Sequence, residues 1–148
     1  MLNLNLPKYK YLLKNENGKL YIYDNIRKMD VVLTPEEWVR QHFVNYLINF
    51  KKYPKSMISL ESGMKYNKLL KRTDIIVYSR KSIPLILIEC KAPSISINKK
   101  TLFQLGTYNS KIKSEYLVVT NGMVSYCWKK QENNYKRLDE LPEYSSIN

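Results

Sequence analysis

The stretch "LILIECKAP" (residues 85–93) has the pattern of a buried β-strand that ends on two opposite charges. Side chains of a strand alternate between its faces, so Glu89 and Lys91 share one face, roughly 6–7 Å apart. One face carries Leu85, Leu87, Glu89 and Lys91, and the other carries Ile86, Ile88 and Cys90. The continuous apolar run predicts a central strand covered on both sides, which ends at Pro93.

Two further strands are predicted just before this one. "SMISLESGMKY" (56–66) alternates, with Ile58, Leu60 and Met64 on its apolar side, and "TDIIVYS" (73–79) is mostly apolar. The polar turn at residues 79–82 predicts that the second and third strands pair antiparallel. Their far ends then meet, which brings Asp74 beside Glu89 or Lys91. Two carboxylates and one ammonium group are therefore expected at one edge of the sheet.

A helix is predicted before these strands, in "LTPEEWVRQHFVNYLINF" (33–50). Thr34 suits the N-cap, Pro35 suits the first helical position, and Glu37 completes a capping box. The expected apolar face consists of Trp38, Val39, Phe43, Tyr46, Leu47 and Phe50. The helix should stop before Pro54.

One more helix and two more strands are predicted in the rest of the chain. "NKKTLFQLGTYNSKI" (98–112) has helical spacing, and "EYLVVT" (115–120) and "MVSYCWKK" (123–130) predict strands. A helical crossover places the strand at 115–120 parallel to a partner. The order is hairpin, helix, three strands, helix, strand, strand, which predicts an α/β fold with a mixed central sheet flanked by helices.

Three segments are expected along the chain. Residues 1–30 form a hairpin extension, with strands at 9–14 and 19–24 and a turn at Asn17-Gly18. Residues 31–130 form the core, and residues 131–148 form a polar tail with one short helix and a loose end.

Composition narrows the classes of partner and cofactor. The 148 residues include 25 Lys and Arg against 13 Asp and Glu, a net charge of +12 that favours a polyanionic partner. An AT-rich genome would produce the same residue mix, so charge alone does not establish binding.

With Cys90, Cys127 and a single histidine, His42, a zinc site is not expected. The chain shows no signal-peptide core and no membrane-length apolar run, so a reducing cytoplasm is the expected location.

The charged edge admits two interpretations. An exposed ion pair at a strand end is common and contributes little stability. Two neighbouring carboxylates repel each other, however, and a Mg²⁺ ion would relieve that repulsion while binding waters and a substrate phosphate. Lys91 would then supply a compact positive charge for the attacking water or the phosphate.

The spacing of these charged residues resembles a known sequence signature. Asp74, a gap of 14 residues, and Glu89-Cys90-Lys91 resemble the D…(D/E)-x-K signature of the PD-(D/E)XK nuclease superfamily, although Thr73 stands where its nominal proline would be. The order of elements is similar to the restriction-endonuclease-like core of that superfamily. "LTPEEWVRQHFVNYLI", "RTDIIVY", "PLILIECKAP" and "YLVVTNG" resemble, more narrowly, the N-terminal nuclease domain of type I restriction enzyme R subunits in its stand-alone form. The resemblance spans roughly residues 20–130.

The resemblance implies roles for the charged edge. Asp74 and Glu89 would be metal ligands for Mg²⁺ or Mn²⁺, together with the backbone carbonyl of Cys90. Lys91 would be the catalytic lysine of a DNA endonuclease.

It also implies roles for the second helix and for two further acids. Gln104 and Tyr108 match a Gln-x-x-x-Tyr element that lies near the active site and DNA in a subset of these nucleases. Tyr108 as a core aromatic, and Gln104 as a hydrogen-bonding partner of the helix end, are the alternatives. Glu37 and Glu61 could add to the acidic cluster, but a capping box explains the first and a solvated strand face the second.

Two basic groups flank the predicted site and are candidates for binding DNA phosphates. Lys71 and Arg72 precede Asp74, and Lys99 and Lys100 precede Gln104. Solvated loop lysines are the alternative.

The chain lacks the phosphate-binding G-x-x-x-x-G-K-[ST] loop of a helicase motor. It is therefore not expected to translocate DNA by itself, and three alternatives follow: it works alone, it serves other proteins, or it is a remnant. The expected partners are DNA and, in the second case, other restriction or motor subunits. Three functions stay open at this point: a Mg²⁺-dependent endonuclease, a non-catalytic nucleic-acid-binding module or accessory subunit that keeps the nuclease fold, and a basic protein whose charge is compositional. The third predicts weak, salt-sensitive binding that is indifferent to metal.

Overall fold

The strand predicted in "LILIECKAP" lies inside a mixed six-stranded sheet. In the computed structural model, residues 1–60 and 74–147 are described, and within them the chain forms nine strands and three α-helices. The α/β prediction is thereby confirmed. The strands are β1 (Leu13–Glu16), β2 (Lys19–Asp24), β3 (Met29–Val32), β4 (Ile58–Leu60), β5 (Ile75–Tyr78), β6 (Pro84–Cys90), β7 (Tyr116–Thr120), β8 (Ser125–Lys130) and β9 (Tyr135–Leu138). The helices are α1 (Pro35–Asn49), α2 (Lys99–Ile112) and α3 (Tyr144–Ile147), with a single 3-10 turn at Lys55–Met57.

The large sheet has the order β4-β5-β6-β7-β8-β9. Its neighbours pair antiparallel except β6 and β7, which are parallel. A parallel step needs a crossover, and α2 provides it, as predicted. The turn between β5 and β6 also pairs these strands antiparallel, as predicted. Of the predicted strand at 56–66, Ile58 and Leu60 are buried in β4, and residues 61–66 lie outside the described part of the chain.

The two faces of β6 pack against different helices. Ile86, Ile88 and Cys90 face the core beneath α1, where they meet Val39, Phe43 and Leu47. Leu87 faces the smaller core beneath α2, with Leu105, Leu117 and Val119. Leu85 to Cys90 are all buried, so the predicted two-sided covering of this strand is confirmed.

Helix α1 begins as its sequence predicts. The Thr34 hydroxyl accepts a hydrogen bond from the backbone N–H of Glu37 at 3.0 Å, and Pro35 is the first helical residue. Its burial is wider than one apolar face, because the chain before β1 packs on its outer side: the Tyr9 and His42 rings are 4.9 Å apart, and the Trp38 indole N–H donates to the Leu2 carbonyl at 2.9 Å.

Phe50 is the exception to the predicted apolar face of α1. It lies just beyond the end of the helix and is 50% exposed, so its assignment to the buried face was wrong. The helical spacing ends where the helix ends. In the described part of the chain, none of the helices is both long and apolar enough to cross a membrane.

Both ends of the chain are more ordered than the sequence predicts. The expected hairpin is a three-stranded antiparallel sheet, because Met29–Val32 adds a third strand. The first strand begins at Leu13 rather than at residue 9. The tail contains β9, which pairs with β8, before the short helix α3. Strands of only four residues give too little alternation to be read from sequence.

The described part of the tail is fixed to the core, and the short helix predicted in it is α3. The loose end predicted after that helix falls on Asn148, which lies outside the described residues. Leu141 is 3% exposed. The Tyr53 hydroxyl donates to the Pro142 carbonyl at 2.6 Å.

Gly122 in the β7–β8 turn gives a prediction about stability. It has φ +83°, and a Cβ there would lie 2.9 Å from a Leu4 methyl and 3.1 Å from a Val39 methyl. Gly18 has φ +80° with nothing within 4 Å, so Gly18→Ala has only the left-handed backbone cost of about 1–2 kcal/mol. Overpacking should make Gly122→Ala worse than Gly18→Ala by about 1–3 kcal/mol, measured by urea unfolding. Equal losses would contradict tight packing of residues 1–12 on the core.

Candidate active site

Two carboxylates meet where β5 begins and β6 ends. Ile75 pairs with Ile88, so Asp74, directly before β5, stands opposite Glu89. The expected meeting of these strand ends is therefore confirmed by the register. Asp74 is 5% exposed and Glu89 is 4% exposed. This burial argues against the interpretation of an ordinary exposed ion pair.

Lys91 completes the charged edge on its open side. Its Nζ lies 3.2 Å from Glu89 Oε1, and its side chain is 26% exposed whereas that of Glu89 is 6% exposed. The backbone N–H of Lys91 donates to the Thr120 carbonyl at 2.8 Å, which continues the pairing of β6 with β7 past the end of the strand. The ammonium group is thus held next to a buried carboxylate while it stays accessible from solvent.

Asp74 is held by partners on both of its oxygens. The backbone N–H of Cys90 donates to Oδ2 at 2.7 Å, and an Arg40 Nη donates to Oδ1 at 2.6 Å. In a strand, the N–H and C=O of one residue point towards the same neighbouring strand, so the Cys90 carbonyl is also directed towards the β5 side. The Cys90 thiol belongs to the core on the other face, and burial raises its pKa well above the ordinary value.

Arg40 was not predicted from the sequence. Its side chain is buried and links Asp74 to Glu37, whose Oε1 it approaches to 2.7 Å. Glu37 also accepts from Arg27 at 3.0 Å and from Gln41 at 3.1 Å. The capping position of Glu37 is confirmed for its backbone N–H, but its carboxylate belongs to this buried polar network.

A sequence signal for this network did exist. Residues 37, 40 and 41 have the i, i+3, i+4 spacing of one helix face, and all three are polar in a helix with apolar residues on either side. Polar residues at that spacing normally indicate a solvated face. Here that face is buried, because Arg27 and Asp24 of the N-terminal segment contact Glu37 and Gln41 while Arg40 contacts Asp74 of the large sheet.

The electrostatics of the pair are compatible with an added cation. Burial is the largest influence on Asp74 and raises its pKa, and the charge of Glu89 raises it further. Arg40 and the Cys90 N–H lower it, but the net shift is upward. Two close buried carboxylates repel each other, and a divalent ion would relieve that repulsion.

The donor set fits a hard divalent ion. Within residues 1–60 and 74–147, no three His, Cys, Asp or Glu side chains form a metal-holding cluster. Mg²⁺ needs only one or two carboxylates, because waters and substrate phosphates complete its octahedron. Asp74, Glu89 and the Cys90 carbonyl offer oxygen atoms alone, and a carboxylate oxygen that accepts one hydrogen bond retains a second lone pair. Glu61, the other acid considered, lies outside the described residues.

The predicted residues of α2 lie on the same face of the sheet as Glu89, since α2 covers Leu87 and Val119. Gln104 is exposed, whereas Tyr108 is partly buried against this core, as the core-aromatic alternative expects. Lys99 and Lys100 are exposed in the first turn of α2, after the Asn98 N-cap. Lys71 and Arg72 lie outside the described residues.

Comparisons with known proteins bear on this arrangement. A search of curated proteins finds no match to the chain. The family model described as "Type I restriction enzyme R protein N terminus" matches residues 35–142, from the first residue of α1 to just past β9. That span is more than half of the 148 residues and includes the charged edge. The chain therefore belongs to the family of type I restriction enzyme R protein N-terminal domains.

Proposed function

We propose that this domain is a Mg²⁺-dependent DNA endonuclease that hydrolyses phosphodiester bonds. One observation carries the proposal: Asp74 and Glu89 are buried on adjacent strand ends, and Lys91 Nζ lies 3.2 Å from Glu89 Oε1. A buried acidic pair beside an accessible ammonium group suits the binding of a divalent ion and of a phosphate at one place.

The residues have separate tasks in this proposal. Asp74, Glu89 and the Cys90 carbonyl would hold Mg²⁺ or Mn²⁺, which supplies a hydroxide nucleophile and neutralises phosphate charge when bound. Lys91 orients the attacking water or the scissile phosphate from the open side of the site. The Cys90 N–H and Arg40 fix the orientation of the Asp74 carboxylate through bonds of 2.7 and 2.6 Å.

DNA would approach across α2. Lys99 and Lys100 bind backbone phosphates, and the exposed Gln104 side chain reaches the substrate or the attacking water. Tyr108 supports the position of Gln104 one turn away on the same face of α2. Lys71 and Arg72 remain candidates for phosphate binding. We place this activity in the cytoplasm, with DNA and other restriction subunits as partners.

A second candidate function is a non-catalytic nucleic-acid-binding module or accessory subunit that keeps the nuclease fold. One observation favours it: Arg40 already places a positive charge 2.6 Å from Asp74 Oδ1. If that ion pair were permanent, it would supply part of the counter-charge that a metal ion otherwise provides.

Metal dependence separates the two functions. Purified wild-type protein is expected to convert supercoiled plasmid to nicked and linear forms with Mg²⁺ or Mn²⁺ and not with EDTA. In parallel, either metal should raise the thermal unfolding midpoint, because an ion that binds only the folded state stabilises it.

Binding of plasmid without cleavage and without a metal-dependent shift of the unfolding midpoint would support the second function. Cleavage that persists in EDTA would contradict a metal-dependent mechanism.

A further inference from the structure

An open groove runs between α2 and the last two strands of the large sheet. Its volume is about 540 Å³, and its lining includes Lys99, Phe103, Trp128 and Tyr135; we call it the aromatic groove. Phe103 is 76% exposed, the highest value among the large hydrophobic side chains of the described residues. A volume of this size lies within the range of ligand-binding sites.

The rings are held in place by the fold. The Tyr135 hydroxyl accepts a hydrogen bond from the buried Asn109 amide at 3.0 Å. Tyr126 and Trp128 are stacked, with ring centroids 6.1 Å apart and planes 30° apart, and the Arg137 guanidinium lies 4.7 Å from the Tyr126 centroid. Flat surfaces that are ordered before binding lose little conformational freedom when a ligand stacks on them.

The charge around the groove has one sign. Lys99 lines the groove from α2, and Lys130 and Arg137 share its face of β8 and β9, whereas none of these three elements contains Asp or Glu. Trp128 pairs with Arg137 and Lys130 pairs with Tyr135, so basic and aromatic side chains alternate on the face that α2 shares. Exposed rings among cations suit a polyanion with flat unpaired bases.

A row of side chains leads from the charged edge to Tyr126, the ring stacked on Trp128 of the aromatic groove. Glu89 pairs with Val119, and Val119 pairs with Tyr126, so these side chains form one row across the sheet. At about 4.8 Å per strand, Tyr126 stands roughly 10 Å from Glu89. Lys99, which lines the groove, is the first residue of α2, the helix that follows β6 along the chain.

We propose that the aromatic groove binds single-stranded DNA. Unpaired bases stack on Phe103 and Trp128, while Lys99 and Arg137 neutralise the phosphates. Duplex DNA is disfavoured there because its bases already stack on one another and present no free faces. The choice of DNA rests on the proposed function, but binding in the groove requires no cleavage.

The test is fluorescence anisotropy with a labelled oligo(dT) strand in EDTA, in which no cleavage is expected. Loss of one stacking contact corresponds to ~5- to 150-fold weaker binding, so Phe103→Ala should weaken oligo(dT) binding at least ~5-fold. The matched control is Phe50→Ala, since Phe50 is also exposed, at 50%, but follows α1. Oligo(dT) binding unchanged by Phe103→Ala, or weakened equally by both substitutions, would overturn the proposal.

Intrinsic fluorescence gives an independent readout. The chain has two tryptophans, and Trp38 is only 5% exposed, so quenching by stacked bases should come from Trp128. We expect oligo(dT) to quench the emission of wild-type protein and not that of Trp128→Phe. Undiminished quenching in Trp128→Phe would overturn the proposal. So would a dimer that Phe103→Ala dissociates without any effect on oligo(dT) affinity, since the groove would then hold a second copy of the chain.

The two proposals fail separately. Loss of oligo(dT) binding with plasmid cleavage intact would reject the groove and leave the endonuclease function standing. Oligo(dT) binding that depends on Phe103, in a protein that does not cleave plasmid, would support the groove and reject catalysis.

Discussion

Glu89→Gln is expected to lower the rate of Mg²⁺-dependent plasmid cleavage at least ~10²-fold, because a lost metal ligand removes several kcal/mol of charge stabilisation in the transition state. The substitution keeps the shape of the side chain and removes one charge from the buried pair. Repulsion of Asp74 then falls while the ion pair with the partly exposed Lys91 is lost, so the free energy of unfolding without metal should change by less than about 1 kcal/mol. Loss of activity without loss of stability would show that Glu89 serves the reaction rather than the fold. Plasmid cleavage and urea unfolding measure the two quantities.

The matched control is Glu16→Gln, since Glu16 is exposed in the small sheet. It should leave cleavage unchanged. Lys91→Ala should also abolish cleavage, and because the Lys91 side chain is 26% exposed, its stability loss should be smaller than that of a buried ion pair. Cleavage that survives Glu89→Gln would contradict the assignment of the site and indicate a contaminating nuclease.

Arg40→Ala is expected to lower the free energy of unfolding by about 3–5 kcal/mol, because it leaves the buried Asp74 carboxylate without its arginine partner and removes one of the two arginines that bind Glu37. Asp74 and Glu37 both accept from this guanidinium, at 2.6 and 2.7 Å, and both are buried. Urea unfolding in EDTA measures the loss. The control Arg137→Ala removes an exposed guanidinium that lies over the Tyr126 ring, and it should cost less than about 1 kcal/mol.

Metal should partly rescue the same variant. If Asp74 and Glu89 bind Mg²⁺, the ion replaces the positive charge that Arg40 supplied, so Mg²⁺ should raise the unfolding midpoint of Arg40→Ala more than that of wild type. Equal shifts in the two proteins would contradict a metal ion at Asp74. A cost of Arg40→Ala below about 1 kcal/mol would contradict a buried role for the arginine, since exposed ion pairs contribute that little.

The local sequence was sufficient to predict the central helices and strands of the fold. The capped start of α1, the crossover helix α2 and the apolar run of β6 each follow from residue type and spacing over ten to twenty positions. The antiparallel pairing of β5 and β6, with Asp74 near Glu89 or Lys91, also follows from such local information, because a short polar turn joins the two strands. The exact pairing does not, since a register shift between Val77 and Tyr78 sets Asp74 opposite Glu89. This is why the fold and the charged edge could be predicted together.

Sequence by itself thus determined the order of elements, the charged edge at the end of "LILIECKAP" and the family resemblance, since all of these depend on neighbours along the chain. Tertiary structure alone decided the rest. Arg40 reaches Asp74 across 34 residues of sequence, and the aromatic groove joins α2 to a strand in the segment expected to be a polar tail. Side chains that are distant in sequence meet only through packing. The spacing of polar and apolar residues along a helix does not predict which of its faces another part of the chain will cover.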